Sequence, residues 1–365
     1  MPLNCGIVGL PNVGKSTLFN AITNTSNAQA ENYPFCTIEP NSGIVPVADS
    51  RLNKLAEIMK SEKIIPNTLE IIDIAGLVRG ASKGEGLGNK FLGTIREVDA
   101  ILHVVRCFEN DDIVHVDGNV DPIRDIEIIE TELILSDITL LEKRLENLQK
   151  KVKIQKDLNI EINIVTKLLS EMNQGKMASS VEFLEKTDDE IRKSLNLITQ
   201  KPIIYICNSD ENGFKSGNKY IDLVKNFADK RGIKIVKICA KLEAELSEFS
   251  ENDKMAMLAE IGADSTGLEN IARAGFDVLN LITFFTVGPK EARAWSLKKG
   301  GTAPNAAGII HTDFEKGFIK SETIAYSDYI ENNGEAGSKQ VGKFRLEGKE
   351  YIVQDGDVVH FKFNV

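Results

Sequence analysis

The chain has 365 residues, of which 42% are hydrophobic and 27% charged, and its formal net charge is −10. This length allows two or three domains, and the acidic balance argues against a protein that coats DNA. The five cysteines are scattered without a C-x-x-C pair, so neither a disulfide framework nor a zinc site is predicted. No apolar run approaches the roughly 20 residues of a membrane span, and the first apolar strand comes too early for a signal peptide. We therefore expect a cytoplasmic protein with no membrane partner.

Strand-like and helix-like runs alternate over residues 1–125 and again over 199–280. Strands are predicted at 3–8, 69–73, 100–107, 202–208 and 234–240. Alternation of this kind is typical of a doubly wound α/β sheet with helices on both faces.

The first predicted strand leads directly into the pattern G-x-x-x-x-G-K-[ST], here Gly9-Leu10-Pro11-Asn12-Val13-Gly14-Lys15-Ser16. Such a loop points backbone N–H groups at phosphate oxygens, and the helix that follows adds the positive end of its dipole. The expected phosphate contacts are Asn12, Val13, Gly14, Lys15, Ser16 and Thr17. Lys15 would reach the β- and γ-phosphates and support catalysis, while the Ser16 hydroxyl would bind Mg²⁺. An ordinary glycine-rich turn is the alternative, which the flanking strand and helix disfavour.

Two further segments fit the γ-phosphate end of such a site. Thr37 lies in a loop after the first helix, where a threonine can bind Mg²⁺ and order the loop around a triphosphate. Asp73 ends a predicted strand and would hold Mg²⁺ through water, and the Gly76 N–H would contact the γ-phosphate. The glycine-rich stretch that follows is predicted to act as a switch.

The group that activates water is not evident. Many GTPases place glutamine at the position of Leu77, and leucine cannot orient a water molecule, so intrinsic turnover should be slow. His115, in the polar loop 109–117, is a candidate base or water-positioning residue, and an ordinary surface histidine is the equal alternative. A bound K⁺, held in part by Asn12, is a second candidate activator.

The segment expected to select the base departs from the usual Asn-Lys-x-Asp. The strand at 202–208 ends in Asn208-Ser209-Asp210-Glu211, and Cys239-Ala240-Lys241 follows the next strand. The predicted base contacts are Asn208, Ser209, Glu211, Ala240 and Lys241. Without the lysine and the aspartate at their usual positions, guanine recognition is weakened, and adenine becomes a candidate.

Residues 126–198 contain no proline and one glycine, Gly175. Apolar residues from Ile134 to Val152 step by four and three, and further apolar positions flank Gly175, which predicts a coiled helical hairpin. Two ordinary surface helices are the alternative. The segment 143–156 carries six basic residues, so this arm could contact RNA phosphates, or the charges could form a solvated helix face.

The sequence pattern changes again over residues 281–365. Short alternating runs at 282–287, 293–297, 344–346, 351–353 and 358–363, with a helix at 303–314, predict a small β-rich α+β domain.

Four stretches together resemble the YchF / Obg-like ATPase family. They are the loop 9–16, Pro34-Phe35-Cys36-Thr37-Ile38-Glu39-Pro40-Asn41, Asp73-Ile74-Ala75-Gly76-Leu77-Val78-Arg79-Gly80-Ala81 and His103-Val104-Val105-Arg106-Cys107-Phe108. The resemblance covers essentially the whole chain. It implies a Ras-like P-loop domain (1–125 and 199–280), a helical coiled-coil insertion (126–198) and a TGS-like β-grasp domain (281–365). It also implies an Mg²⁺-dependent ATPase that accepts GTP, K⁺ stimulation, ribosome association and a role in translation or stress response.

The first hypothesis is therefore a ribosome-binding ATPase switch with ATP preferred over GTP, in which the helical arm and the C-terminal domain could contact rRNA. A GTPase of ribosome assembly is one alternative. A nucleotide-gated binding module with incidental hydrolysis is another. A metabolic kinase is disfavoured, because no acceptor lid or catalytic aspartate motif is visible.

Overall fold

The computed structural model describes residues 4–29, 41–74, 87–110, 112–113, 115, 118–152, 155 and 158–364. The strands in these residues are β1 (Asn4–Val8), β2 (Ser42–Val47), β3 (Lys63–Ile65), β4 (Asn67–Asp73), β5 (Ala100–Arg106), β6 (Ile203–Asn208), β7 (Lys234–Ile238), β8 (Leu281–Val287), β9 (Glu291–Lys298), β10 (Phe318–Ala325), β11 (Arg345–Glu347) and β12 (Asp357–Phe363).

The α-helices of the described residues alternate with these strands in the first part of the chain. They are α1 (Lys15–Gln29), α2 (Ser50–Met59), α3 (Leu87–Glu97), α4 (Pro122–Lys151), α5 (Asn159–Met172), α6 (Lys186–Ser194), α7 (Glu211–Ser216), α8 (Lys219–Asp229), α9 (Ala240–Leu246), α10 (Glu251–Ile261), α11 (Gly267–Val278), α12 (Ala303–Ile310), α13 (Thr312–Lys316), α14 (Tyr326–Glu331) and α15 (Glu335–Gln340). None of the helices described is long and apolar enough to cross a bilayer.

The first sheet has the strand order β2-β4-β1-β5-β6-β7. All pairs are parallel except β2 with β4, which is antiparallel. Every residue of β5 is buried, as expected for a central strand with helices on both faces. The carboxyl ends of β1, β5 and β6 therefore lie side by side at one edge of the sheet, where ligands of doubly wound folds bind.

The α/β class predicted from the sequence is confirmed, and all five predicted strands of this part have a counterpart. The strand expected over 234–240 is shorter than predicted, because α9 begins at Ala240. The sequence analysis missed β2. This edge strand contains Pro46, which a central strand would not tolerate, and it gives no alternating signal strong enough to stand out.

The helical insertion differs from the predicted hairpin in where the chain reverses. The reversal lies between α4 and α5, not at Gly175. The seam of α4 packs against α5 through a core that includes Leu141 and Leu168. Beyond Gly175 the expected second helix is only the short α6, and Leu184 is 98% exposed rather than buried. Lysine-rich residues around the reversal carry no turn signal, so periodicity alone extended the first helix too far.

The second sheet has the order β11-β10-β12-β8-β9-β3. Its first five strands have the β-grasp arrangement, in which the parallel pair β12–β8 lies at the centre and α12 follows the first hairpin. The predicted strand 351–353 is instead a single bridge between Ile352 and Thr302. The predicted helix 303–314 is interrupted at His311, whose φ of −161° is extended. The prediction also missed β10.

The segment that carries α2 and β3 joins the second sheet, although the sequence analysis assigned it to the first domain. β3 pairs in parallel with β9, with Lys63 opposite Glu291. On α2, Leu52 and Leu55 are buried with Phe285 of β8 in one apolar cluster. Three residues of strand are too few to show which sheet they join, and only the tertiary pairing decides it.

Candidate functional site

A cavity of about 740 Å³ opens at the carboxyl edge of the first sheet. Four segments line it: the loop between β1 and α1, the residues after β5, the residues after β6 and the residues after β7. The lining residues are Leu10, Pro11, Asn12, Gly14, Lys15, Ser16, Thr17, Phe108, Asn110, Ile113, Asn208, Ser209, Asp210, Glu211, Cys239, Ala240 and Lys241. Except for Val13, every predicted nucleotide-binding residue is in this set.

The loop between β1 and α1 has the backbone that a phosphate cradle needs. Asn12 and Gly14 both have positive φ, 63° and 94°. A Cβ on Gly14 would lie 2.1 Å from Nδ2 of Asn208, so only glycine fits there. A Cβ on Gly9 would lie 2.7 Å from the carbonyl oxygen of Val104. The two glycines therefore let the loop pass close to β5 and β6 and turn into α1.

Asn208 joins two walls of the cavity. Its Nδ2 donates a hydrogen bond to the carbonyl oxygen of Val13 at 2.8 Å, and its Oδ1 accepts one from the N–H of Ala240 at 2.9 Å. The Val13 side chain is buried in the main core, so this residue contributes its backbone rather than its side chain. The first residue of the Asn-x-x-Glu segment therefore positions the loop 9–16 and the loop after β7 relative to each other.

Lys15 begins α1, and its ammonium contacts the carboxylate of Asp73 at the end of β4. Ser16 lines the cavity at the same helix N-terminus. A hydroxyl oxygen and a carboxylate oxygen are hard donors, which Mg²⁺ prefers, and Mg²⁺ needs only one or two protein ligands beside phosphate and water. The residues present therefore fit the ion. Thr37 and Gly76, the other predicted γ-phosphate contacts, lie outside the described residues.

The base end of the cavity carries an exposed ion pair. Glu211 begins α7 with its side chain 57% exposed, and its Oε1 lies 3.6 Å from Nζ of Lys241. Lys241 also lies 3.7 Å from Glu245. Ser209 is buried, and its hydroxyl donates to the carbonyl oxygen of Ile238. The Glu211 carboxylate is available to accept hydrogen bonds from a ligand, since an exposed ion pair is weak.

The structure does not bring His115 to the cavity. The histidine is buried, and its Nε2 lies 2.8 Å from Oδ2 of the buried Asp125 in α4. The prediction of a base or water-positioning residue is therefore not supported by this geometry. A sequence alone does not reveal the pairing, because Asp125 belongs to a different element and the loop between them has no periodic pattern.

Three lining residues after β5 were missed as site residues: Phe108, Asn110 and Ile113. The available signal was topological. Because β5 lies between β1 and β6, the residues that follow it must lie between the phosphate loop and the base segment.

Two family profiles match the chain. A family profile described as "50S ribosome-binding GTPase" matches residues 4–209. A second profile, YchF-GTPase_C, described as a protein of unknown function, matches residues 281–364.

Curated relatives match over the full length. The "Ribosome-binding ATPase YchF" of Haemophilus influenzae is 55% identical over 366 residues, covering 100% of both chains. The protein of the same name from Bacillus subtilis is 52% identical over 368 residues, again covering 100% of both. The solved "Structure of the Schizosaccharomyces pombe YchF GTPase" superposes with a TM-score of 0.89 at 40% identity, covering 99% of this chain and 97% of that one. The chain therefore belongs to the YchF family and has its P-loop GTPase fold.

Proposed function

We propose that this protein is an Mg²⁺-dependent ATPase that binds the ribosome and prefers ATP to GTP. Membership of the YchF family makes it a P-loop nucleotide hydrolase. The observation that carries the finer proposal is the base end of the cavity, where Glu211 follows Asn208 by three positions and no lysine stands between them.

The base preference follows from hydrogen-bond geometry. In the usual motif, an aspartate accepts two hydrogen bonds from guanine. The Glu211 side chain is one methylene longer than aspartate, lines the cavity while 57% exposed, and is paired with Lys241. A carboxylate that cannot reach both guanine donors leaves those donors without partners, which costs much of the discrimination in favour of guanine. The side-chain amide of Asn208 and the N–H of Ala240 remain as the frame of the base site.

The roles of the other residues follow from their positions. Lys15 exchanges the Asp73 carboxylate for the β- and γ-phosphates, because phosphate oxygens are the stronger acceptors at this loop. Asp73 would then help to hold Mg²⁺ through water, and the Ser16 hydroxyl would bind the ion directly. Bound Mg²⁺ would neutralise charge that develops on the phosphates. Thr37 and Gly76 complete the proposed γ-phosphate contacts.

Hydrolysis is proposed to depend on an external activator. Leu77 offers no hydrogen bond to water, and the Nε2 of His115 is held by Asp125. K⁺, with Asn12 among its ligands, and the ribosome are the proposed activators. The names of the relatives include ribosome binding, which is here proposed for this chain. The basic arm and the TGS-like domain are the proposed rRNA contacts, in a cytoplasmic role in translation or stress response.

Competitive binding of ATP and GTP tests this proposal, with a fluorescent ADP analogue as the displaced probe and both Mg²⁺ and K⁺ present. We expect ATP to bind at least about 10-fold more tightly, about 1.4 kcal/mol. Asn208→Ala should weaken both nucleotides, because it releases two cavity walls at once. Tighter binding of GTP by the same margin would overturn the ATPase assignment and favour a GTPase of ribosome assembly.

A further inference from the structure

Arg106 is the last residue of β5 and directly precedes the segment that lines the cavity through Phe108, Asn110 and Ile113. It is 2% exposed and is the largest fully buried side chain among the described residues. Lys and Arg side chains are rarely buried to this degree unless they are paired with a carboxylate. Arg106 is bonded differently, and its partners point to a role.

The guanidinium of Arg106 donates to three carbonyl oxygens. Its Nε donates to Phe108 at 3.2 Å, one Nη to Ile113 at 2.9 Å and the other Nη to Asn110 at 3.2 Å. The guanidinium carbon also lies 4.7 Å from the centre of the Phe108 ring. One side chain therefore holds three backbone carbonyl groups after β5, and all three nitrogens of its guanidinium take part.

The three acceptors are the same three residues that line the cavity after β5. The hydrogen bonds of Arg106 therefore stabilise the cavity lining and not only the apolar core around the side chain. The far end of the loop has a separate anchor, because His115 binds Asp125. Asp125 also contacts Arg124, with Nη of Arg124 lying 3.3 Å from Oδ1 of Asp125.

The cost of burying the charged guanidinium also indicates that Arg106 has a functional role. Burial lowers the pKa of Arg106, and the charge of Asp125 opposes that shift. A cation kept in an apolar setting by neutral carbonyls is costly, and such an arrangement persists where it fixes a functional geometry.

We propose that Arg106 is a positioning residue that holds Phe108, Asn110 and Ile113 in place as the part of the nucleotide cavity that follows β5. The inference rests on the proposed function of that cavity. Lysine cannot replace it, because an ammonium is a point donor and cannot reach three carbonyls in one plane. Phe108, Asn110 and Ile113 would then collapse away from the ligand or become mobile.

The test compares Arg106→Lys with Arg96→Lys in the full-length protein. Arg96, in α3, is a partly buried arginine that contacts Asp137 and Ser136 and lies outside the cavity. We expect Arg106→Lys to raise the Kd of ATP at least about 10-fold, while Arg96→Lys leaves it within twofold, although both variants lower the melting temperature. Equal nucleotide affinity in wild type and Arg106→Lys would overturn the inference, as would an equal loss in both variants.

A second measurement keeps the inference testable if Arg106→Lys fails to fold. Hydrogen exchange of wild-type backbone amides at 108–113 should slow when ATP is added, and amides of the α8–β7 connection should not change. Unchanged exchange at 108–113 in nucleotide-bound wild type would contradict the inference. Failure of wild type to bind any nucleotide would instead overturn the proposed function, so the two failures are distinguishable.

Discussion

Glu243 is a buried carboxyl that links the base loop to a distant helix. It lies in α9, three residues after Ala240, and is 2% exposed. Its two oxygens accept hydrogen bonds from the N–H groups of Gly267 at 2.6 Å and Leu268 at 3.2 Å, at the start of α11. The helix end favours an anion, but burial outweighs it and raises the pKa of Glu243 to about 7.

This raised pKa predicts a pH-dependent stability. The unfolded carboxyl has a pKa near 4.5 and the folded one about 7. The contribution is fully present below pH 4.5 and is lost as the pH rises through 7, because the folded state then holds a buried charge. Glu243→Gln is neutral throughout, so it should gain stability relative to wild type between pH 5 and pH 8, by up to about 3 kcal/mol. Urea unfolding of both proteins at the two pH values measures this gain, and a pH-independent difference would contradict it.

For single residues, the sequence was sufficient to predict those whose position depends only on the loop or strand end that carries them. Lys15, Ser16 and Asn208 follow from their place after a strand, and the structure puts all three at the cavity. It could not predict pairings between distant elements. The contacts of His115 with Asp125 and of Glu243 with α11 depend on how separate segments pack, which no local pattern encodes.

Among the elements, α2 has the most unexpected partner. It follows β2 of the first sheet, yet its apolar face packs on the second sheet. Arg51 strengthens the attachment, with one Nη 2.6 Å from the Asp355 carboxylate and the guanidinium 5.3 Å from the Phe285 ring. A helix from the first part of the chain therefore packs on the second sheet through one apolar cluster.

Leu55→Ala tests the packing of α2 on the second sheet. Leu55 is fully buried in the cluster between α2 and the second sheet. Its truncation should cost about 2–5 kcal/mol of unfolding free energy, through lost burial and a cavity. Nucleotide affinity should not change, because the residue is remote from the site. The matched control is Leu223→Ala in α8, which is 49% exposed and should cost about 0.5 kcal/mol or less. A loss as small as the control's would show that α2 does not hold the sheet.

Element types were more predictable than their partners. Strands that are buried on both faces, such as β5 and β6, are recognisable in the sequence as apolar runs. Short or edge strands did not, because three to six residues carry too little periodicity and the edge strand β2 contains a proline. The sequence analysis also missed the chain reversal between α4 and α5, because apolar residues continue at helical spacing on both sides of it.

The whole molecule is acidic, yet it carries a basic arm. Net charge is −10, but Lys150 and Lys151 are exposed at the end of α4, near its reversal. If this end contacts rRNA, Lys150→Glu with Lys151→Glu should weaken ribosome binding at least about 10-fold at low salt and reduce the dependence of log K on log salt by about 1–2. Ribosome cosedimentation across a salt series measures both effects.

The control makes the same charge change elsewhere. Lys225→Glu with Lys230→Glu alters two exposed lysines at α8, away from the arm. Equal weakening by both pairs would indicate general charge repulsion and would contradict a specific role for the arm.

The most direct test of the account is ATP hydrolysis by wild type and Lys15→Met, each measured with Mg²⁺ and K⁺ and with or without ribosomes. The account predicts slow hydrolysis by wild type alone, an increase of at least about 10-fold with ribosomes, equivalent to about 1.4 kcal/mol of barrier, and no hydrolysis above background in Lys15→Met under either condition. Hydrolysis that survives in Lys15→Met, or wild-type hydrolysis that ribosomes leave unchanged, would contradict it.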